Sequence, residues 1–251
     1  MLRDELVRYI DGYLEAGTVQ DYCPNGLQVE GHREVHKIVC GVTASLALID
    51  AAVERGADAL LVHHGILWGG SMPPVTRSFQ RRLKALLAAD LNLIAYHLPL
   101  DRHPVVGNGA TVAERIGLVD VEPFGKHRGI TVGVKGRLPE PLDIDQLGER
   151  VARSLSADGV VFPYGPSPVR TVGVVTGAAD KELPQAVAEG LDCFVTGEIS
   201  EYVMHYALEE GIHFIAAGHH ATERFGVQAL AKHVAERFNL QWEFVDVPNP
   251  A

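Results

Sequence analysis

Thiols, surplus positive charge and long apolar runs are all scarce in this 251-residue chain, and each scarcity closes off a class of function. Three cysteines, Cys23, Cys40 and Cys193, are odd in number and form no CxxC pair, which argues against a disulfide framework and for reduced thiols. Acidic residues outnumber Lys and Arg by 32 to 22, giving a net charge of −10. A protein that grips a phosphate backbone without sequence preference carries the opposite sign. No apolar run approaches the roughly 18 residues needed to span a bilayer. Residues Met1-Leu2-Arg3-Asp4-Glu5 are acidic where an export signal is basic. The expectation is a cytoplasmic protein that engages neither membrane nor nucleic acid. The phosphate-cradling glycine loop, the GxGxxG turn ahead of a helix and the GxSxG elbow are also missing.

What the chain does have is histidine, twelve in all, and 47% apolar residues, enough to fill one large core or two small ones. It also repeats itself. Residues 27–65 align without a gap on residues 161–199 at a constant offset of 134, so that Val35–Thr43 lies over Val169–Gly177 and Gly56-Ala57-Asp58 over Gly190-Leu191-Asp192. Both windows read as a buried strand, an amphipathic helix and a second buried strand. Further helices are expected at about 77–89 and 200–210, then third strands at 91–96 and 212–217, then closing helices at 108–117 and 225–238. Upstream, the amphipathic stretch of residues 4–15 has its counterpart at 144–155. Thr43 or Ser45 reads as the N-cap of the first crossover helix. The expected fold is α/β, with mostly parallel mixed sheets built from two pseudo-symmetric βα repeats, residues 1–125 and 126–251, and a site between them. Residues 119–143 contain a further strand, Gly129–Lys135, whose place in a sheet is not legible.

Functional groups of such sheets gather at the carboxyl ends of strands. His63, His64, His97, Asp101, Glu198, His219 and Glu223 all fall there. His63-His64 ends one apolar run, and Gly65 stops the strand so that both rings can turn to a common space. His97 precedes Asp101 by four residues, and His219 precedes Glu223 by the same spacing. With a helix starting at His219, that spacing stacks donor over donor on one face. Pro99 is expected to block helix formation until after Asp101. Each piece also has a plain structural reading: solvated histidines, an Asx turn or helix cap at Asp101, an i,i+4 surface pair at His219. Their recurrence at equivalent places of a repeat points instead to nitrogen and oxygen ligands of a dinuclear hydrolytic centre, with water of lowered pKa as nucleophile. Glu198, His220 and His97 are candidates for proton transfer or for orienting ligands. Asp21–Leu27 reads as a tight turn, and Gly65–Pro74, with Trp68 and Met72, as a lid, a substrate wall or an ordinary loop.

Asp21-Tyr-Cys-Pro-Asn-Gly-Leu-Gln-Val-Glu-Gly31, Gly41-Val-Thr-Ala-Ser45, Val62-His-His-Gly65, Tyr96-His-Leu-Pro-Leu-Asp101, Thr196-Gly-Glu-Ile-Ser200 and Ala217-Gly-His-His-Ala-Thr-Glu223 resemble the signatures of the Nif-three-like family of dinuclear-metal proteins. Its bacterial members are called GTP cyclohydrolase I type 2 homologues. The resemblance runs nearly the whole length and is to the short bacterial form. It implies two intertwined repeats, a toroidal homohexamer with inward-facing sites, and His63, His64, Asp101, His219 and Glu223 as ligands of two divalent ions, whether iron, zinc or manganese. It further implies a metal-dependent hydrolase of a small substrate, GTP being the named candidate, for which Arg77, Arg81, Arg82 and Arg102 are the basic residues near the motifs. A noncatalytic role in metal storage, delivery or scaffolding needs the same ligands and stands as the alternative.

Overall fold

Leu6, Ile10 and Leu14 recur at helical spacing, and the first helix, α1 (Arg3–Tyr13), buries that face. The computed structural model describes residues 1–69 and 73–251. The chain divides into two compact units, residues 1–100 with 227–248 and residues 101–226 with 249–251. After α1 the first unit continues through β1 (Gly26–Val29), β2 (Lys37–Thr43), α2 (Leu46–Glu54), β3 (Ala59–His64), α3 (Arg77–Ala88) and β4 (Asn92–Ala95). Ser45 caps α2, its hydroxyl accepting from the Leu48 N–H at 3.2 Å. Strands β4, β3 and β2 run parallel, joined by helical crossovers, and β1 pairs antiparallel on the β4 edge. Val39, Leu60, Val62 and Leu93 fill the core beneath α2 and α3. A short helix, α4 (Leu98–Asp101), follows β4. Pro99 therefore does not block helix formation as expected. It sits in a first helical turn, where its missing N–H has no partner to lose.

The second unit contains α5 (Asn108–Ile116), β5 (Val119–His127), β6 (Ile130–Leu142), α6 (Ile144–Leu155), β7 (Val160–Pro163), β8 (Val169–Val174), α7 (Leu183–Ala188), β9 (Cys193–Thr196), α8 (Val203–Glu210), β10 (His213–Ala216) and the start of α9 (His219–Phe238). Its sheet has the order β5-β6-β8-β9-β10-β7, with β8, β9 and β10 parallel and the other pairings antiparallel. Residues 119–143, illegible in the sequence, form the β5–β6 hairpin, and β6 joins the sheet through β8. Val172, Val174, Val195 and Ile215 make up its core with α5 and α6. From Val227 onward α9 is counted with the first unit, and so is β11 (Gln241–Phe244), which pairs parallel with β2. Compact unit and sequence repeat are thus different divisions of the chain.

The repeat is written in hydrogen bonds as well as in apolar residues. Asp58 accepts from the N–H groups of His36 and Lys37 at 2.7 and 2.9 Å, and Asp192 from those of Arg170 and Thr171 at 2.8 and 2.9 Å. Each carboxylate thereby satisfies the amides at the entrance to a parallel strand. A second clamp uses different residues for the same task. Buried Asn92 accepts from the Gly31 N–H and donates to the His32 carbonyl. Buried His213 accepts from the Gly165 N–H at Nδ1 and donates from Nε2 to the Pro166 carbonyl. Gly31 and Gly165, like His32 and Pro166, are 134 positions apart, so an amide and an imidazole serve equivalent ends of the sheets.

His213→Asn is expected to retain more stability than His213→Leu, by about 1–3 kcal/mol, because Leu strands both the donor and the acceptor. Urea unfolding midpoints measure this. Equal losses in the two variants would show that the ring hydrogen bonds carry no weight.

Candidate metal centre

β3 ends in His63 and His64, whose ring centroids are 4.5 Å apart. The chain turns away at Gly65, where a Cβ would lie 2.2 Å from the Gln28 side-chain oxygen. That oxygen accepts from the N–H groups of Ile66 and Leu67, and the Gln28 amide donates to the Pro24 carbonyl. The turn after the histidines is therefore bolted to the segment before β1. His63 is fully buried, and its Nδ1 bonds to the Tyr96 carbonyl at 2.9 Å, while His64 Nδ1 bonds to the Thr43 hydroxyl at 3.1 Å. His97, at the end of β4, brings a third ring. Ring nitrogens of His63, His64 and His97 lie within 4.8 Å of one another.

Asp21 and Asn25 hold His97. The Asn25 side-chain oxygen accepts from the His97 N–H, and Asp21 Oδ1 accepts from the ring Nδ1 at 2.8 Å. Asp21 also accepts from the Tyr22 and Leu98 N–H groups and from the Asn25 amide. Burial alone would raise the Asp21 pKa. The hydrogen bonds from His97, Asn25 and Leu98 outweigh it and hold the carboxyl at about 2. Cys23 places its sulfur within 4.8 Å of ligand atoms of Asp21 and His97, a thiol that the sequence had not put beside the site. All three cysteines are buried and outside any disulfide, and desolvation pushes the Cys40 and Cys193 thiols above their usual range. The Asp21 segment reads as an ordinary turn in the sequence. Its role rests on contacts 76 positions away.

In the second unit, Gly218 (φ +89°) ends the approach from β10, and α9 begins at His219. His219 Nε2 lies 3.1 Å from buried Glu223 Oε2, one turn on, as the four-residue spacing requires. His219 Nδ1 bonds to Glu198 at 2.5 Å. Burial would lower the His219 pKa, but the bonds to Glu223 and then Glu198 raise it to about 9. Gly177 has no room for a side chain, since a Cβ would lie 2.3 Å from Glu223 Oε1. Its N–H donates to the fully buried Thr222 hydroxyl. Asp101 and Glu223 bring carboxylate oxygens within 4.8 Å of each other. Asp101 Oδ1 accepts from the buried Asn108 amide at 2.8 Å, and Asn108 Oδ1 accepts from the Gly226 N–H. Asn108, read from the sequence only as a helix start, thus orients one candidate ligand against the helix that carries another. His220 donates its N–H to the carbonyl of Ala251. Gly197, aligned with His63, has no space for a ring because a Cβ there would meet His219 Cα at 2.7 Å. The two repeats therefore offer different candidate donors.

The Asp21 shift fixes an acid dependence. Its folded pKa of about 2 lies below the ordinary 3.8, so its stabilisation, about 2 kcal/mol, is present above pH 4 and is lost as pH falls through 2. Asp21→Asn is expected to be less stable than wild type at neutral pH, with the gap closing between pH 4 and pH 2. A gap independent of pH in urea titrations would overturn this.

The Duf34/NIF3 (NGG1p interacting factor 3) family matches residues 1–250. A Pseudomonas aeruginosa protein named "GTP cyclohydrolase 1 type 2 homolog" is 48% identical over 246 residues, covering 98% of this chain and 97% of its own. Among solved structures, "protein ybgI, unknown function" superposes with a TM-score of 0.95 at 43% identity over the whole of both chains. TTHA1606 from Thermus thermophilus does so at 0.91, with the same identity and coverage. On sequence and fold together, the chain belongs to the Duf34/NIF3 family.

Proposed function

We propose that this protein is a metal-dependent hydrolase in which His63, His64, Asp101, His219 and Glu223 hold two divalent ions, and that its substrate is a purine nucleotide such as GTP. The observation that carries the reading is the state of the imidazoles. Nδ1 of His63 donates to the Tyr96 carbonyl, which places the lone pair that a metal requires on its Nε2, while Nδ1 of His64 and of His219 is engaged by the Thr43 hydroxyl and Glu198, so that all three rings are oriented through the same nitrogen. Asn108 orients Asp101 in the same supporting way. Such nitrogen and oxygen donors suit iron, zinc or manganese. Bound ions of this kind supply Lewis acidity and lower the pKa of water. The chain's own part is to orient the rings through Nδ1, to keep the Asp101 and Glu223 carboxylates out of bulk water, and to hold the His97 ring beside the imidazole pair. The name carried by the P. aeruginosa relative supports the choice of substrate. The homohexamer implied by the sequence signatures belongs to the same proposal, and sedimentation of the purified protein tests it.

Asp101→Ala and Glu223→Ala are each expected to weaken metal binding tenfold or more while the far-ultraviolet circular dichroism is unchanged. Unaltered metal content in both variants would remove the ligand assignment. Protein reconstituted with iron, manganese or zinc is expected to open the guanine ring of GTP, with the product seen by mass spectrometry. The activity should vanish on chelation and in Asp101→Ala. Bound metal without turnover would remove GTP as substrate and favour the noncatalytic role.

A further inference from the structure

Beside the imidazoles of the first unit stands a large aromatic ring that the proposed chemistry does not use. Trp68 is 42% exposed, although it lies only four residues beyond His64. Its ring centroid is 5.7 Å from that of His64 and 5.3 Å from that of His97, to which it is nearly perpendicular at 79°. Tyr22 approaches His97 from a further direction, with centroids 5.9 Å apart. Trp68 is held in place rather than loosely displayed. Its indole N–H donates to the Gly65 carbonyl at 3.1 Å, and the next residue, Gly69, donates its N–H to the Tyr22 carbonyl at 2.7 Å. With its only polar atom engaged, what Trp68 offers to solvent is carbon surface. Burying such a ring against a flat partner is favourable, whereas leaving it in water beside a polar site is not. His97 adds a directional group. Its Nδ1 is tied to Asp21, so Nε2 remains to meet a polar atom on the edge of a ligand.

We infer that Trp68 is a stacking platform for a planar nitrogen heterocycle, with His97 Nε2 meeting the edge of that ring. The site then selects its ligand by the base rather than by the phosphates, in keeping with the chain's net charge of −10. The inference rests on the reading of these residues as part of a substrate site. It names the half of the substrate that the first unit recognises, and it does not depend on turnover.

The chain has two tryptophans, Trp68 and Trp242, and Trp242 lies on β11, away from the imidazoles in sequence. In Trp242→Phe, therefore, fluorescence reports Trp68 alone. Metal-loaded Trp242→Phe protein is titrated with guanosine, adenosine, GTP and, as a control without a base, ribose 5-phosphate. Saturable quenching by the nucleosides and GTP, but not by ribose 5-phosphate, is the expected result. By calorimetry, Trp68→Ala in the otherwise native chain is expected to weaken guanosine binding about 5- to 150-fold, with metal content unchanged and Trp68→Phe close to wild type. The inference is overturned if ribose 5-phosphate quenches as the nucleosides do, if no nucleoside gives saturable quenching, or if Trp68→Ala binds guanosine as wild type does. Guanosine binding with these properties but without GTP turnover would uphold the platform while removing GTP as substrate, so the two fail separately.

Discussion

A ring that is to meet a metal or a substrate must be held in one orientation, and the candidate imidazoles of this chain are each anchored through Nδ1. Asp21, the Tyr96 carbonyl, the Thr43 hydroxyl and Glu198 each take one ring nitrogen of His97, His63, His64 and His219. Those partners are in turn fixed by other hydrogen bonds or by the sheets themselves. Asp21 has three partners besides His97, and the Tyr96 carbonyl follows a strand end whose side chain is anchored through its hydroxyl to Asp11. The scaffold's work is thus spent on orientation, the requirement a metal or substrate site places most strictly on its surroundings.

The duplicated hydrogen bonds show how closely the repeats follow one design, and where they part. Asp58 and Asp192 perform the same task with the same residue, while Asn92 and His213 perform a shared task with different ones. One of the twelve histidines is therefore structural, its two ring nitrogens occupied by the backbone, although its residue type alone resembles that of a ligand. At their candidate donors the repeats diverge for a steric reason. The backbone around Gly197 and His219 is too close to admit a ring, so imidazoles enter from a strand end in one unit and from a helix start in the other.

Much of this was legible before folding. Apolar periodicity located the crossover helices and parallel strands, and α6 begins and ends where the pattern in 144–155 does. The four-residue spacing of His219 and Glu223 translates directly into one helical turn. The place of Pro99 in α4 is not legible in the sequence, because a proline at the second position of a short helix and one that stops a helix look alike there. The β5–β6 hairpin escaped because its strand pairing is antiparallel and largely solvent-facing, without the continuous apolar run that marks the parallel strands.

By itself the sequence determined the α/β class, the repeat, and the types and spacing of the candidate donors, because periodicity and local spacing are properties of neighbouring residues. Only the tertiary structure decided which groups orient those donors. Asp21 meets His97 across 76 positions, Gln28 meets Ile66 across 38, and Asn108 meets Gly226 across 118. A hydrogen bond between residues so far apart leaves no periodic trace along the chain. It exists only once packing has brought its two ends within about 3 Å.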